Sequence, residues 1–175
     1  MSINVAVIGA GSWGTTVAAL AAVNTPTVLW ARRQELAGEI NRDHVNSDYL
    51  PQFPLPEQLR STSSLRDAVA SADVLVMAVP SHGYRDVTRD EMPGHPVAVL
   101  TGPNLAKEIL AGQPAASVVA IDNGDIADEL QRIFGRPTLR VYTNTDVVGC
   151  EVGGVVKNVI AIAAGMAEGM GFGDN

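Results

Sequence analysis

The sequence predicts an α/β protein with a doubly wound, mostly parallel sheet of the Rossmann-like kind. Short apolar runs alternate along the chain with segments of helical period, a pattern typical of parallel strands connected by covering helices. A glycine-rich turn follows the first apolar run. Hydrophobic residues make up 46% of the 175-residue chain and charged residues 18%, so the chain can form a packed core.

Strands and helices are predicted from these runs in alternating order. The predicted strands are Asn4–Ile8, Thr27–Trp30, Val74–Val79, Val97–Leu100, Ser117–Ile121 and Leu139–Tyr142. The predicted helices are Ser12–Val23, Gln34–Arg42, Leu65–Ala70, Leu105–Ala111 and Ile126–Phe134. Residues 46–64 contain three prolines and no period, which indicates a surface loop. Beyond Thr145, Gly149–Met170 is predicted as one long helix of small residues, with a domain boundary near Val147.

The charge and cysteine content exclude several classes of protein. Nineteen acidic and twelve basic residues give a net charge of -7, so no general basic surface is available for nucleic acid. A single cysteine, Cys150, and an N-terminus without signal-peptide features favour a reducing cytoplasm. Apolar runs such as Val74–Val79 are shorter than the ~20 residues of a membrane span. We therefore expect a soluble protein without stable membrane insertion, and we expect no metal site.

The segment VAVIGAGSWGTTVAALAA contains Gly9, Gly11 and Gly14 in G-x-G-x-x-G spacing between a strand and a helix. In a dinucleotide site the first glycine permits the tight turn, the second lets the backbone approach a pyrophosphate, and the third allows close helix-strand packing. Free N–H groups at the helix start then attract phosphate. The alternative is a tight turn without a ligand, but the flanking elements favour dinucleotide binding.

Two arginines, Arg32 and Arg33, follow the second predicted strand, where an NAD-selective site usually has an acidic residue for the ribose diol. A guanidinium suits a 2'-phosphate through charge-assisted hydrogen bonds. The turn therefore favours NADP, or at least tolerates it. The alternative is a solvated helix start, because arginine is common at such positions.

Pro80, Ser81 and His82 follow the third predicted strand, at the sheet edge where ligands of open α/β sheets bind. His82 has the chemistry of a catalytic base. We favour the alternative in which Ser81 caps a helix and His82 lines the cofactor cleft without taking part in chemistry.

Lys157 lies in a run of small and apolar residues. On a helix it shares one stripe with Gly153, Ala161, Ala164 and Glu168, and most of that stripe is nearly bare of side chains. Such a face lets a ligand or another backbone come close, and apolar surroundings favour the neutral amine, which can exchange a proton with a substrate oxygen. The alternative is that Lys157 extends its charge to water and has no catalytic role.

Six segments, taken in order, resemble the bacterial NAD(P)-dependent glycerol-3-phosphate dehydrogenases. They are VIGAGSWGT, LWARR, NSDYLP, VPSH, TGPNLAKE and RVYTNTDVVGCEVGGVVKNVIAIAAGMAEGMGFGDN. The resemblance runs the whole length of the chain, and its last motif is highly specific. It implies reduction of dihydroxyacetone phosphate to sn-glycerol 3-phosphate with NADPH or NADH, which supplies glycerophospholipid synthesis. It also implies a dinucleotide-binding domain over residues 1–146 and the first helix of an otherwise absent all-helical domain over residues 147–175.

The resemblance also implies residue roles. Lys157 matches the proton donor and acceptor. Gly102 and Asn104 match substrate positions, together with Lys157, and Asn104 stands where many members have serine or threonine. Ser12, Trp13, Arg32, Arg33 and Ala106 match cofactor positions. Together with the three glycines of the turn, the expected cofactor-binding residues are Gly9, Gly11, Ser12, Trp13, Gly14, Arg32, Arg33 and Ala106.

Two departures from the family are visible. The family ordinarily has a further strand ending in a Lys-Gly pair between the segments VPSHGYRDV and GHPVAVLTGPN, and here only TRDEMP lies between them. The helical domain that follows GFGDN in the family is also missing from the sequence. A stand-alone dinucleotide-binding module without turnover is therefore one alternative.

A beta-hydroxyacid dehydrogenase is the other alternative, because it too pairs a Rossmann domain with a helix-borne lysine. There the lysine and an asparagine are separated by a helical turn, whereas Lys157 and Asn158 are adjacent. The expected partner is a small phosphate substrate, with a homodimer left open.

Overall fold

The computed structural model describes residues 3–70, 72–79 and 96–172. Within these ranges the chain forms two sheets with helices packed around them. The first four strands form one sheet and the last three form another. The predicted α/β class with a mostly parallel, Rossmann-like sheet is confirmed, but the described strands do not form one continuous sheet.

The first sheet contains β1 (Val5–Ile8), β2 (Thr27–Trp30), β3 (Arg60–Thr62) and β4 (Val74–Met77) in the order β3-β2-β1-β4. All three pairings in it are parallel. Its helices are α1 (Ser12–Ala22), α2 (Gln34–Asp43) and α3 (Leu65–Val69). Every residue of β1 is buried because helices cover both faces of this central strand.

The second sheet contains β5 (Val99–Thr101), β6 (Ala115–Ala120) and β7 (Leu139–Asn144) in the order β5-β6-β7. β5 pairs antiparallel with β6, and β6 pairs parallel with β7. Its helices are α4 (Ala106–Leu110) and α5 (Gly124–Phe134). Among the described residues β4 and β5 do not pair with each other, so the two sheets are separate.

The core joins the two sheets through helix α1. Nine of its eleven residues are buried, from Gly14 to Ala22, and small side chains let the helix lie close to its neighbours. It packs on β1 and β2 and also on α4 and α5. The side-chain amide of Asn24, just after α1, donates to the carbonyl oxygens of Arg132 and Ile133 near the end of α5, each at 3.0 Å. This contact fixes the second sheet against the first.

The prediction that residues 46–64 form a surface loop is wrong. Asn46, Leu50, Leu55 and Leu59 are all buried, and the segment ends in β3, a strand that the sequence did not predict. The leucines enter the core singly from an irregular backbone, so they leave no periodic signal. Fully burying one leucine contributes about 1.5–3 kcal/mol, so the segment is part of the core and not a covering loop.

The last helix, α6 (Val147–Gly169), begins after Asp146, whose side chain accepts a hydrogen bond from Gly149 N at 2.8 Å. The predicted long helix is therefore present, but none of its residues is buried. Of the helices that the structure describes, it alone is long and apolar enough to cross a membrane, by length and composition only. This helix is an exception to the expectation that the apolar runs are too short for a membrane span, because its 23 positions are mostly small and apolar, although Glu151, Lys157 and Glu168 interrupt them.

Candidate active site

The glycine-rich turn lies at the carboxyl end of β1. Gly9 has φ +117°, and a Cβ there would come within 2.6 Å of the Ala78 carbonyl oxygen, so both conformation and space require glycine. A Cβ at Gly14 would collide with the Gly9 carbonyl oxygen. A Cβ at Gly11 would meet no protein atom within 4 Å. Packing explains two of the glycines, whereas the space at Gly11 is open to a ligand.

Helix α1 starts immediately after this turn. Gly11 is its N-cap and contributes no side-chain hydrogen bond, and the first turn contains no acidic residue. Ser12 and Trp13 are its first residues and are half-buried. A helix start of this kind presents N–H groups and a partial positive charge, which favours an anionic group such as phosphate.

Asn46 is a functional candidate that the sequence reasoning missed. It is fully buried, and its side-chain amide donates to the Ala10 carbonyl oxygen at 3.0 Å and to Thr15 Oγ1 at 2.8 Å. Its Oδ1 accepts from Tyr49 N at 3.3 Å. Asn46 therefore holds the glycine-rich turn against the first turn of α1. A polar residue beginning a proline-rich segment gave no signal for this contact, because the partners are distant in sequence.

Arg32 and Arg33 follow β2 and are exposed. Arg33 is the N-cap of α2 and forms an ion pair with Asp48. Among the described residues no acidic side chain pairs with Arg32. Both arginines lie at the carboxyl edge of the parallel sheet, where β1 and the glycine-rich turn also end. An anion bound at this edge could therefore contact the guanidinium of Arg32, which no acidic side chain of the described residues pairs, and that of Arg33, whose charge Asp48 partly neutralises.

The three predicted substrate residues are brought together by α6 and the end of β5. Lys157 Nζ donates to the Gly102 carbonyl oxygen at 3.1 Å, although the two residues are 55 positions apart. Asn104 Nδ2 donates to Ser117 Oγ at 2.6 Å. A Cβ at Gly102 would come within 2.5 Å of Asn104 Nδ2 and 2.8 Å of the Ala116 carbonyl oxygen. The absence of a side chain at Gly102 is what lets these groups lie close together.

The surroundings of Lys157 differ from those expected. The residue is exposed, so the predicted apolar environment is not present among the described residues. The helix approaches β5 through Gly154, where a Cβ would come within 2.8 Å of Thr101 Oγ1, and a Cβ at Gly153 would meet no atom within 4 Å. The physical reason is that α6 makes its main contacts with β5 and β6 on one side, and none of its residues is buried.

The remaining predicted positions are less informative. Ala106 is the half-buried first residue of the five-residue helix α4, and that helix packs on α1. Ser81 and His82, like Pro80, lie outside the described residues. The last three residues of the GFGDN motif, 173–175, also lie outside them.

The parallel sheet, the glycine-rich turn and the helix that follows it define a dinucleotide-binding domain of the Rossmann class. The sequence profile of the NAD-dependent glycerol-3-phosphate dehydrogenase N-terminus matches residues 4–92 and 84–127. The profile of the C-terminus of the same enzymes matches residues 146–175. The chain therefore belongs to the NAD-dependent glycerol-3-phosphate dehydrogenase family.

Individual relatives agree with this assignment. A glycerol-3-phosphate dehydrogenase [NAD(P)+] of Sphingopyxis alaskensis is 48% identical over 207 residues, which cover all of this chain and 62% of the relative. The structure of glycerol-3-phosphate dehydrogenase from Saccharomyces cerevisiae matches with a TM-score of 0.90 and 26% identity, over 100% of this chain and 65% of that one. The enzyme of Coxiella burnetii matches with a TM-score of 0.81 and 30% identity, over 99% and 63%.

The chain is shorter than these relatives in two respects. It spans 62% of the length of the Sphingopyxis alaskensis relative. The alignment also runs over 207 positions, whereas the chain has 175 residues, so residues of the relative within the aligned span have no counterpart here. The two matched stretches of the N-terminal profile overlap over residues 84–92, which lie between β4 and β5 in the sequence.

Proposed function

We propose that this chain is the cofactor-binding part, with the catalytic lysine, of an enzyme that interconverts dihydroxyacetone phosphate and sn-glycerol 3-phosphate with NADPH or NADH. The product would supply glycerophospholipid synthesis. The observation that carries the proposal is the hydrogen bond from Lys157 Nζ to the Gly102 carbonyl oxygen at 3.1 Å. It supports the proposal because residues assigned to the substrate by resemblance come from two distant parts of the chain, Gly102 with Asn104 and Lys157, and meet there.

The glycine-rich turn fits a dinucleotide. The open space at Gly11 is a cradle that a Cβ would fill, and the start of α1 supplies the N–H groups for the pyrophosphate. Gly9 and Gly14 shape the turn, and Ser12, Trp13 and Ala106 would line the cofactor site. Arg32 and Arg33 would face the adenosine end, where a 2'-phosphate distinguishes NADP from NAD.

When bound, the nicotinamide supplies or receives the hydride. Lys157 would give a proton to the substrate oxygen during reduction and take it back during oxidation. Its ammonium also stabilises negative charge that develops on that oxygen. Gly102 and Asn104 would position the substrate beside the amine, and the hydrogen bond to the Gly102 carbonyl holds the amine in place in the meantime.

The chain contains a matched control for this role. Its two lysines are Lys157 and Lys107, and Lys107 lies exposed on α4, next to Ala106 in the sequence, with no role assigned to it by the resemblance. We predict that Lys157→Met in the active protein lowers kcat and kcat/KM together by about 10²- to 10⁴-fold, the usual contribution of a general acid or base. Lys107→Met should change neither. NADPH oxidation with dihydroxyacetone phosphate measures the rates, and a nearly normal kcat for Lys157→Met would remove the catalytic role.

A dinucleotide-binding module without turnover is the second candidate. The separation of β4 from β5 among the described residues favours it, because a site built across two separate sheets positions its groups less rigidly. Calorimetric titration with NADPH and a turnover assay on the same sample separate the two candidates. Binding without turnover supports the module, and turnover supports the enzyme.

The proposed partners and location follow from the chemistry. The substrate is a small phosphate, and the net charge of -7 disfavours nucleic acid. A reducing cytoplasm suits a chain with the single free cysteine Cys150.

We propose that α6 is the start of a substrate domain and not a membrane span, a proposal supported by the C-terminal profile, which matches residues 146–175. A homodimer is proposed as the assembly to test first.

A further inference from the structure

The segment that follows α2 contains a tight turn over residues 46–50. Its two ends form an antiparallel bridge, in which Leu50 N donates to the Asn46 carbonyl oxygen at 2.8 Å. Asn46 and Leu50 are fully buried, whereas the three residues between them are exposed. The 46–50 turn is therefore anchored in the core at both ends and presents residues 47–49 on the surface.

The exposed part of the 46–50 turn lies against α2. Glu39 is in the second half of that helix, and its carboxylate accepts hydrogen bonds from Ser47 N at 2.9 Å and from Ser47 Oγ at 3.0 Å. The next residue, Asp48, forms an ion pair with Arg33, which is the N-cap of the same helix. The turn thus runs back along α2 and brings the carboxylate of Asp48 to the end of the helix that follows β2.

The 46–50 turn also contacts the proposed pyrophosphate site. The side-chain amide of Asn46 donates to the Ala10 carbonyl oxygen and to Thr15 Oγ1, which belong to the glycine-rich turn and the first turn of α1. Asp48 lies two residues further along the chain. Its ion pair with Arg33 is therefore held in place by contacts with both the glycine-rich turn and α2.

The start of α2 attracts negative charge. Arg33 makes no side-chain hydrogen bond as the N-cap, so the helix start offers N–H groups and a partial positive charge in addition to the guanidinium. Glu35 in the first turn pairs with no basic side chain of the described residues. A phosphate at this position would compete with the Asp48 carboxylate, because paired hydrogen bonds to one anion use guanidinium donors that the other needs.

This competition affects the two cofactors differently. A 2'-phosphate is present on NADPH and absent from NADH, so only NADPH binding requires Arg33 to release Asp48. In NAD-selective sites of this fold class an acidic residue usually stands at the end of the second strand. Here the end of β2 is followed by Arg32 and Arg33, and the acidic residue comes from the 46–50 turn instead.

We propose that Asp48 is a specificity-determining residue, which lowers the affinity for NADPH through its ion pair with Arg33 and so keeps NADH as an alternative cofactor. The inference rests on the proposed function, in which Arg33 faces the adenosine end of the cofactor. It adds an acidic residue outside the glycine-rich turn to the residues that determine cofactor preference.

The test measures the affinity of the 175-residue chain for NADPH and for NADH by calorimetry. Asp48→Asn keeps the size of the side chain and removes its charge. We expect this variant to bind NADPH about two- to fivefold more tightly, the range of an exposed ion pair that no longer has to be broken. Its affinity for NADH should stay the same, because NADH does not displace the carboxylate.

Asp43 provides a matched control. It also pairs with an arginine of α2, with Arg42 Nη2 at 2.7 Å from Asp43 Oδ2, but this pair lies at the other end of the helix. The Asp43 and Asp48 side chains are 48% and 38% exposed, so the two substitutions remove similar charges. Asp43→Asn should leave the ratio of the two affinities unchanged. An equal effect of both variants would mean that the net charge, and not the pair with Arg33, determines the ratio.

A second background tests whether Asp48 acts through Arg33. Arg33→Gln should weaken NADPH binding, and Asp48→Asn added to it should have no further effect, because the residue that it would release is gone. The same gain in NADPH affinity in both backgrounds would contradict the proposed route.

The results also separate this inference from the proposed function. A wild-type chain that binds both cofactors, with a ratio that Asp48→Asn leaves unchanged, overturns the role of Asp48 alone. A wild-type chain that binds neither cofactor overturns the proposed cofactor site together with it.

Discussion

At the residue scale, the glycine-rich turn depends on a side chain outside it. Asn46 reaches the turn from a segment that follows α2, and it holds the Ala10 carbonyl and Thr15 Oγ1 from a fully buried position. In a low-dielectric interior such hydrogen bonds are costly to leave unmade. Asn46 is therefore a positioning residue for the proposed phosphate site, although it would not touch the cofactor.

Asn41 gives a matched control for this role. Its side chain also bridges backbone groups, at 2.8 Å to both Ser61 N and the Ser61 carbonyl oxygen, but it does not contact the turn. We predict that Asn46→Ala lowers the free energy of unfolding by about 1–3 kcal/mol, whereas Asn41→Ala, at an exposed residue, lowers it by about 0.5–1.5 kcal/mol. Only Asn46→Ala should also weaken NADPH binding, by roughly tenfold. Denaturant titrations measure the free energy of unfolding, and calorimetry measures the affinity for NADPH. If both variants lose NADPH affinity equally, Asn46 stabilises the fold and has no particular role in positioning the turn.

The arginines after β2 predict cofactor preference. Arg32→Ala combined with Arg33→Ala should weaken NADPH binding at least tenfold more than NADH binding, since a charge-assisted contact contributes about 1.5–3 kcal/mol. Asp48→Asn should act in the opposite direction, because it releases Arg33 from its ion pair. Binding titrations with both cofactors measure the ratio. If the double variant lowers both affinities equally, the arginines do not contact a 2'-phosphate.

At the scale of elements, strand and helix positions were predictable where a period or an apolar run marked them. The predicted strands and helices that fall in the described ranges are present within a few residues, and the G-x-G-x-x-G segment lies between a strand and a helix as expected. β3 was not predictable, because Arg60–Thr62 is short and polar and pairs only with β2 at the edge of the sheet. The contact of Lys157 with Gly102 followed from resemblance and not from pattern, since the partners are far apart in the chain.

Helix α6 predicts how the 175-residue chain behaves in solution. Val155 and Val159, one turn apart, are 74% and 66% exposed, and other aliphatic residues of the helix are similarly exposed. An apolar surface of this kind promotes association. We predict concentration-dependent self-association that weakens at least tenfold in Val155→Glu with Val159→Lys, a favourable helical pair that leaves the net charge unchanged.

A control for this effect is Val23→Lys, which changes another exposed valine, the C-cap of α1. It should leave association unchanged. Sedimentation velocity over a range of concentrations measures all three proteins. Identical behaviour of the wild type and the α6 variant would show that the helix is not the associating surface.

At the scale of the whole molecule, helices join the two sheets, and no strand of the described residues does so. Helix α1 packs on α4 and α5, and the Asn24 amide binds carbonyl oxygens near the end of α5. Side chains of the second sheet, such as Val119 and Val141, belong to the same buried cluster as those of the first. The hydrogen-bond ladder, by contrast, is interrupted between β4 and β5 in the described part of the chain.

This interruption has a consequence for cooperativity. A continuous sheet melts as one unit, whereas two ladders joined only by side-chain contacts can lose order at different temperatures. We predict a calorimetric enthalpy of unfolding larger than the van't Hoff enthalpy, and a wider separation of the two transitions in Asn24→Ala, which removes a contact between the halves. A single transition with equal enthalpies would contradict this. If the interruption seen among the described strands governs unfolding, thermal denaturation becomes two linked equilibria, and the half without the glycine-rich turn opens while the other half stays folded.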